Sequence, residues 1–513
     1  MSDRVDLPLR FTDDDLALFA AASRDENPLH RDPAYARTTV FGAPVVYGAL
    51  ATLAALGRLS PRPGQRLVRL SVEFAGPLFV GVDYTTEVDE TASGRVRVRV
   101  RDGRRVVLRL TARFADGPAE SYTLPDEAGH GPHEPQEAAD WPAEALTPGH
   151  VVTGRYAARP TALGALLTRY DLAVRGVGPR QAEALLGCSY LVGMRLPGRR
   201  ALFSDVTLDF DDEPAAAEDS EGFSLCLDAL HADFGLASLS ATFSGRLVAR
   251  GQITAFVRRP VGTPSLDAAS GPGGPSQALA GKVAVVTGAS RGLGAALAQA
   301  FAQQGCTVVG TWHRSAAEAE ALAAIIRAAG GRFEAYQSDA ADPADAARLA
   351  AHLTAEHGGI DFLVCNACPA LRPLWLDPAS TTRVIEHVTQ SVAMVAVPLA
   401  HLLAPLGARS GAAVIVSSSA LDAPPAEWPH YVAAKRAVEG LAEVAAAEHP
   451  EVGVWVARPP KLLTELVNTP LGRQGAADPG RYAADLVGAL RGEGSAADVG
   501  LRPVGARDTP PAG

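Results

Sequence analysis

The sequence predicts an α+β unit built twice, a long helix followed each time by an antiparallel sheet, and then an α/β unit with a doubly wound parallel sheet. Three observations predict it. Two segments of near-helical apolar spacing each precede runs of period-two alternation. After residue 281 an apolar strand, a glycine-rich turn, an amphipathic helix and a second strand follow in order. Two stretches without periodicity divide the 513 residues into three blocks, and a chain of that length exceeds one hydrophobic core.

In the first block Leu16, Leu18, Phe19 and Ala20 mark a helix. "APVVYGALATLAALGRL" marks a second, with Val45, Val46, Ala49, Leu50, Leu53 and Leu56 near helical spacing. "RLVRLSVEF", "DYTTEVDE", "GRVRVRVRDG" and "RVVLRLTARF" alternate as strands. Residues 117–149 form an acidic, Pro-rich linker: from Asp116 to Glu144 there are eight acidic residues and no Lys or Arg. The second block repeats the plan, with a helix in "PRQAEALLGCSYLVGMRLPG" and strands in "ALFSDVTLDF", "GFSLCLDALHADF", "LASLSATFSGRLVARG" and "QITAFVRR". Repeated element order implies an internal duplication of about 110 residues. The predicted boundaries are 1–116 and 150–258 for the two repeats, 259–280 for a Gly/Pro/Ser linker, 281–502 for the α/β unit and 503–513 for a flexible tail.

Composition narrows the function. Hydrophobic content of 47 % and charged content of 20 % belong to a soluble globular protein, and a net charge of −10 argues against a nucleic-acid surface. Five Cys without framework spacing and an N-terminus without a signal-type apolar run predict a cytoplasmic location. Residues 388–408 lack charge but carry Gln390, His401 and two prolines, so a buried or interface helix is expected rather than a membrane span.

Between the first two helices stands "SRDENPLHRD". Read alone, it is a turn in which Asp25 and Asn27 supply capping oxygens and Pro28 stiffens the chain. "DENPLH" followed by "RDPAYA" and "FGAPVVYG" resembles the MaoC-like family of R-specific enoyl-thioester hydratases and dehydratases, in which D-x-N-P-x-H precedes the central helix of a hot-dog fold. "FAGPLFVGVDY" resembles the strand-turn-strand that follows in that family, and the likeness covers residues 8–116. It implies that Asp25 and His30 are the acid/base pair, that Asn27 holds the catalytic loop, and that backbone N–H groups near Gly48 stabilise the enolate-like thioester oxygen. The chemistry agrees: eliminating water from a 3-hydroxyacyl thioester needs a base for the α-proton and an acid for the leaving hydroxyl on one side of the substrate. No metal is needed, and none is predicted. The family has His-Gly where this chain has Tyr47-Gly48. The second block has no D-x-N-P-x-H, so it reads as a degenerate partner hot dog forming the other wall of the acyl tunnel, with His231 and Asp233 at the surface.

In the third block Gly288, Gly292 and Gly294 let the backbone approach a pyrophosphate at a helix N-terminus, with Ser290, Arg291 and Leu293 in the same turn. Together with "SDAAD" at Asp339, "LVCNAC" at Asn366 and "VIVSSSALDAPPAEWPHYVAAK", this resembles the short-chain dehydrogenase/reductase family over residues 279–500, and its ketoacyl-thioester reductases in particular. Ser418, Tyr431 and Lys435 match the family's S-x12-Y-x3-K. The resemblance implies that Tyr431 donates a proton to the substrate carbonyl, that Lys435 lowers the Tyr431 pKa and holds the nicotinamide ribose, and that Ser418 polarises the carbonyl. The second strand ends "GTWHRS", without the acidic residue that binds a ribose 2′-hydroxyl. Arg314 and Arg291 accommodate a 2′-phosphate instead, so NADPH is the predicted cofactor, with Asp339 at the adenine and Asn366 and Ala367 beside the nicotinamide. Three positions depart from the family: Cys365-Asn366-Ala367-Cys368 replaces N-N-A-G, Pro459-Pro460 replaces P-G, and the helical Asn of the proton relay is absent, with Ser391 or Gln390 nearest its place. Cys365 and Cys368 are read as a strand end, not a redox pair.

Consecutive steps are the expectation: reduction of a 3-oxoacyl thioester to the (R)-3-hydroxyacyl thioester, then dehydration to the trans-2-enoyl thioester. The acyl group rides on an acyl carrier protein or CoA, which the sequence leaves open, and a homodimer is expected. Two alternatives stay open: the reverse sequence with NAD in acyl-CoA breakdown, and one module retired to docking or dimerisation.

Overall fold

The computed structural model describes residues 6–90, 95–117, 137–142, 145–210, 222–244, 249–270, 274–493 and 495–505. Two compact units divide the chain, Met1–Arg259 and Pro260–Gly513. Most of the predicted acidic linker, residues 118–136 and 143–144, and most of the predicted tail, residues 506–513, lie outside the described residues.

The first unit contains strands β1 (Asp6–Arg10), β2 (Gln65–Glu73), β3 (Asp83–Glu90), β4 (Arg95–Asp102), β5 (Arg105–Asp116), β6 (Val151–Arg155), β7 (Ala201–Phe210), β8 (Gly222–His231), β9 (Leu236–Ser244) and β10 (Ala249–Val257). They form one ten-stranded sheet, ordered β1-β3-β4-β5-β2-β7-β10-β9-β8-β6. From either edge inward the two halves follow the same course, and they meet where β2 pairs antiparallel with β7, Arg69 opposite Asp209. Alternation drives each strand: in β4, Val96, Val98 and Val100 turn inward while Arg95, Arg97 and Arg99 face outward.

Helices α1 (Asp13–Ser23), α2 (Pro28–Arg31), α3 (Pro33–Arg37), α4 (Gly48–Leu56), α5 (Pro160–Arg169) and α6 (Pro179–Tyr190) complete the unit. A capping box between Thr12 and Asp15 starts α1, and Arg24, in the left-handed region at φ 60°, ends it. That stop aims Asp25 away from the helix axis. In α4 every residue from Ala49 to Leu56 is buried, and in α6 every residue from Gln181 to Tyr190. The nearly all-apolar α4 belongs in a core, where each fully buried Leu contributes about 1.5–3 kcal/mol, whereas α6 buries Gln181, Glu183 and Ser189 along with its apolar residues. The two predicted blocks therefore share one sheet and one hydrophobic cluster.

The second unit runs α7 (Leu266–Ala269), β11 (Val283–Val286), α8 (Gly292–Gln303), β12 (Thr307–Trp312), α9 (Ala316–Ala328), β13 (Arg332–Gln337), α10 (Pro343–His357), β14 (Phe362–Cys365), α11 (Thr381–Gly407), β15 (Ala412–Val416), α12 (Pro429–Glu448), β16 (Gly453–Ala457), α13 (Pro470–Arg473), α14 (Pro479–Leu490) and β17 (Leu501–Pro503). The sheet order is β13-β12-β11-β14-β15-β16-β17, parallel except for β17. Strand order reverses between β11 and β14, which opens a ligand crevice at their carboxyl ends. The Gly/Pro/Ser segment read as a linker in fact contributes to this unit: Ala269 is buried in its core and the Ser276 N–H donates to the Gln303 carbonyl. The charge-free stretch lies in α11, long and apolar enough by length and composition to cross a membrane. Its inner face carries Val395, Leu399, Leu402, Leu403 and Leu406 into the core.

Candidate active sites

In the first unit the loop after α1 is fixed by its own side chains. The Asn27 N–H donates to Asp25 Oδ1 at 3.1 Å, and Asn27 Oδ1 caps α2 by accepting from the Leu29 N–H at 3.0 Å. Two further contacts come from the other half of the sheet's sequence. Ser189 Oγ at the end of α6 donates to Asp25 Oδ2 at 2.8 Å, and Asn27 Nδ2 donates to the Gly193 carbonyl at 2.7 Å. Gly193 lies in a π-helical turn, Leu191–Arg195, that prolongs α6, and a Cβ there would stand 2.7 Å from Asp25 Oδ1. Asp25 is 1 % exposed, and burial pushes its carboxyl up to about 7 against the pull of the Ser189 and Asn27 hydrogen bonds.

His30 follows in α2. Its Nδ1 lies 2.7 Å from the Val45 carbonyl, which can only accept, so Nδ1 carries the proton and the Nε2 lone pair remains for catalysis. Burial holds the imidazolium down to about 4, so the ring is neutral at pH 7. Tyr47 explains its departure from His: its ring stacks on His30 with centroids 3.9 Å apart, and its hydroxyl donates to the Asp25 carbonyl at 2.7 Å. Gly48 opens α4, so its N–H is among the helix-start donors without an intrahelical partner. A Cβ on Gly48 would strike the Phe74 ring at 2.7 Å. A proton donor near its switching point and a neutral imidazole acceptor make an acid/base pair. The segment read as strand-turn-strand is mostly the loop between β2 and β3, and His231 and Asp233 are exposed.

In the second unit the glycine turn leaves β11 through Gly288, at φ 66°. Gly294 has a different reason from the one expected: a Cβ there would lie 2.2 Å from the Gly288 carbonyl, so this glycine packs α8 onto its own turn. Asn366 locks the same turn, its Nδ2 donating to the Thr287 and Gly288 carbonyls at 3.1 and 3.2 Å, with Ala367 next to it. Ser290, Arg291, Gly292 and Leu293 are partly exposed around the α8 N-terminus. Arg291 Nη1 is buried without a hydrogen-bond partner, an orphaned cationic donor beside helix-start amides. That combination fits an anionic phosphate. Arg314 is exposed just past β12, and His313 Nδ1 lies 3.3 Å from Asp339 Oδ2.

Ser418, Tyr431 and Lys435 do converge. The Ser418 hydroxyl hydrogen-bonds Tyr431, and Lys435 Nζ stands 5.7 Å from the Tyr431 ring centroid. Tyr431 and Lys435 line a pocket with Ala367, Cys368, His387 and Ser391. One expectation is corrected: Lys435 does not depress Tyr431. Its Nζ donates to the Val416 carbonyl at 2.8 Å, and burial pushes the Tyr431 phenol up to about 12. Ser391 lines the pocket, whereas Gln390 is exposed. Cys365 is buried in the strand, with its thiol pushed up to about 12 by burial, whereas Cys368 is exposed at the pocket, so the pair occupies two unlike environments.

The sequence reading missed Ser189, Gly193, His387, Thr464 and Glu465. His387 faces the pocket edge-on to buried His430, with ring centroids 4.5 Å apart, and burial then Lys435 hold it down to about 4. Thr464 Cγ2 and Glu465 Oε2 would each lie 3.4 Å from a Cβ on Gly292. Burial raises the Glu465 carboxyl, and Arg291 draws it back. None of these stands in a local pattern with its partners.

Fold and site define the class: an acid/base site for adding or removing water, joined in one chain to a dinucleotide-dependent oxidoreductase. The MaoC like domain profile matches residues 3–111, and the short chain dehydrogenase profile matches residues 282–471. An (R)-specific enoyl-CoA hydratase from Aeromonas caviae is 39 % identical over 120 residues, 23 % of this chain and 84 % of that protein. A cis-4-hydroxycyclohexanecarboxylate dehydrogenase from Sinomonas cyclohexanicum is 37 % identical over 184 residues, 35 % of this chain and 72 % of that protein. Similar solved structures include a metagenomic short-chain oxidoreductase in complex with NADP, 30 % identical, covering 42 % of this chain and 93 % of that one at a TM-score of 0.36. The chain belongs to both families, as a MaoC-like domain fused to a short chain dehydrogenase domain.

Proposed function

We propose that the protein is a bifunctional ketoreductase-dehydratase acting on a 3-oxoacyl thioester carried by CoA or an acyl carrier protein, in biosynthesis of fatty-acid or polyketide type. The observation that carries this reading is the pairing, in one chain, of an acid/base pair, buried Asp25 and half-buried His30, with a pocket lined by Tyr431 and Lys435 beside Ser418, because the alcohol made by one is the substrate of the other. We read the two halves of the first unit, which share one strand order, as a double hot dog whose second half has lost its acid and base.

Bound at the glycine turn, a nicotinamide nucleotide supplies the hydride. Tyr431 delivers the proton to the developing alkoxide, and Ser418 donates to the same oxygen. A phenol held near 12 stays protonated at neutral pH, which suits donation and hence reduction. In dehydration His30 Nε2 takes the α-proton, the start of α4 at Gly48 stabilises the enolate-like oxygen, and the Asp25 carboxyl gives its proton to the departing hydroxyl.

The reverse reading, hydration followed by oxidation with NAD, draws on the relatives, one a hydratase and one a dehydrogenase. Cofactor preference separates the two. With 3-oxoacyl-CoA the enzyme is expected to consume NADPH in preference to NADH. The double variant Arg291→Ala/Arg314→Ala raises the KM for NADPH tenfold or more, since a charge-assisted phosphate contact is worth ~1.5–3 kcal/mol and ~1.4 kcal/mol is a factor of ten. Its use of NADH changes little. Wild-type preference for NADH, or a double variant that keeps its NADPH preference, overturns the assignment.

We also propose a homodimer. On α11 the charge-free stretch leaves Val388, Val392, Met394 and Val397 partly exposed, and Ile385 just before it is 60 % exposed, apolar groups for a second copy to cover. Light scattering at micromolar concentration should give twice the chain mass, and a monomer contradicts the proposal.

A further inference from the structure

The geometry points to a binding site for a divalent transition-metal ion, of the zinc or cobalt type, on the outer edge of the second unit, held by Glu334, His352 and His357. Glu334 stands on the edge strand β13, while His352 and His357 are on α10, the latter in its last turn. Each imidazole presents Nε2 to a different oxygen of the one carboxylate: His352 to Oε1 at 2.6 Å and His357 to Oε2 at 3.2 Å. All three donor atoms lie within 4.8 Å of one another. The two rings stand at 83° with centroids 6.0 Å apart, the disposition of two imidazoles radiating from one centre.

A tetrahedral ion with bonds of about 2.0–2.2 Å keeps neighbouring donors about 3.3–3.5 Å apart. The His357 contact already has that separation. The His352 contact, at 2.6 Å, must open slightly, a change of the size side-chain torsions supply. The ring of Tyr336, 4.9 Å from His352, and the bond from Arg409 Nη2 to the His357 carbonyl, 2.6 Å, hold the two ligands from behind. The side chains are partly exposed, at 36 % for Glu334, 27 % for His352 and 17 % for His357, so water completes the coordination. Two imidazoles and one carboxylate select zinc, cobalt, nickel or copper over magnesium and calcium, which take oxygen ligands. On binding, each imidazole gives its Nε2 lone pair to the metal and keeps its proton on Nδ1. The ion ties the edge strand to the end of α10, across a sequence separation of 23 residues.

The competing account is a carboxylate that merely accepts two N–H hydrogen bonds. Titration calorimetry of zinc chloride into the tag-free, chelator-stripped full chain decides between them. One equivalent is expected to bind at micromolar concentration, to raise the melting temperature by a few degrees, and to be lost in His352→Asn/His357→Asn. Cobalt chloride should give the visible absorption of a four-coordinate site in the wild type only. Glu334→Gln, which keeps the shape, is the second variant should the double one fold poorly, and it should weaken zinc binding at least tenfold. No binding up to about 0.1 mM overturns the proposal, as does an equivalent that persists undiminished in the folded variants and thus belongs to Cys368 or another group.

Discussion

Tyr431→Phe removes NADPH-dependent reduction by about 10³-fold or more while dehydration of a supplied (R)-3-hydroxyacyl thioester continues at the wild-type rate. The phenol is the group in the pocket whose proton suits an alkoxide, held near 12 by burial and hydrogen-bonded by Ser418. Phe keeps the ring that Lys435 approaches and deletes only the hydroxyl, so loss of the reductive step reports chemistry rather than packing. The measurement is NADPH oxidation at 340 nm with 3-oxoacyl-CoA, beside enoyl formation from the hydroxy substrate. Loss of both activities would show that the two sites are not chemically independent, and undiminished reduction would remove Tyr431 from the mechanism.

How much of this was legible in the sequence depends on whether a residue's partners are near it in the chain. Asp25, Asn27 and His30 fall within six residues, and their turn is closed by their own side chains. Gly288 and Asn366 announced themselves by sitting at strand ends. Ser189 did not, because its partner Asp25 is 164 residues away and a lone serine inside a buried helix has no motif. His387 likewise matters only because α11 packs beside α12. Among elements, β1 and β6 were missed as five-residue edge strands, one carrying Pro8, too short for alternation to register. The Gly/Pro/Ser segment was misread because composition reports flexibility and not that Ala269 has a core to enter. Electrostatics misled once: the Y-x3-K spacing says that Lys435 is near Tyr431, but not that its proton goes to Val416.

The dehydration step has the sharper pH signature. Asp25 switches near 7 and His30 near 4, so between those values the pair holds one proton, on Asp25, with His30 free to accept. Hydration and dehydration exchange no net proton with solvent, so kcat/KM for both directions follows the same profile. It is flat between about 4 and 7, falls tenfold per pH unit above as Asp25 loses its proton, and falls below as His30 gains a second. Asp25→Asn, which cannot pass a carboxyl proton, loses on the order of 10²–10⁴-fold, while NADPH oxidation by Tyr431 continues. Ser189→Ala tests the positioning from α6. Its hydroxyl favours the carboxylate, so removing it raises the Asp25 pKa and moves the alkaline limb up by about one to two units, the size set by ~1.5–3 kcal/mol for a charged hydrogen bond and 1.36 kcal/mol per pH unit. Ser189→Thr, which keeps the hydroxyl, should leave the limb in place. A merely structural serine lowers the rate at every pH without moving the limb, and that result would leave Asp25 governed by burial alone.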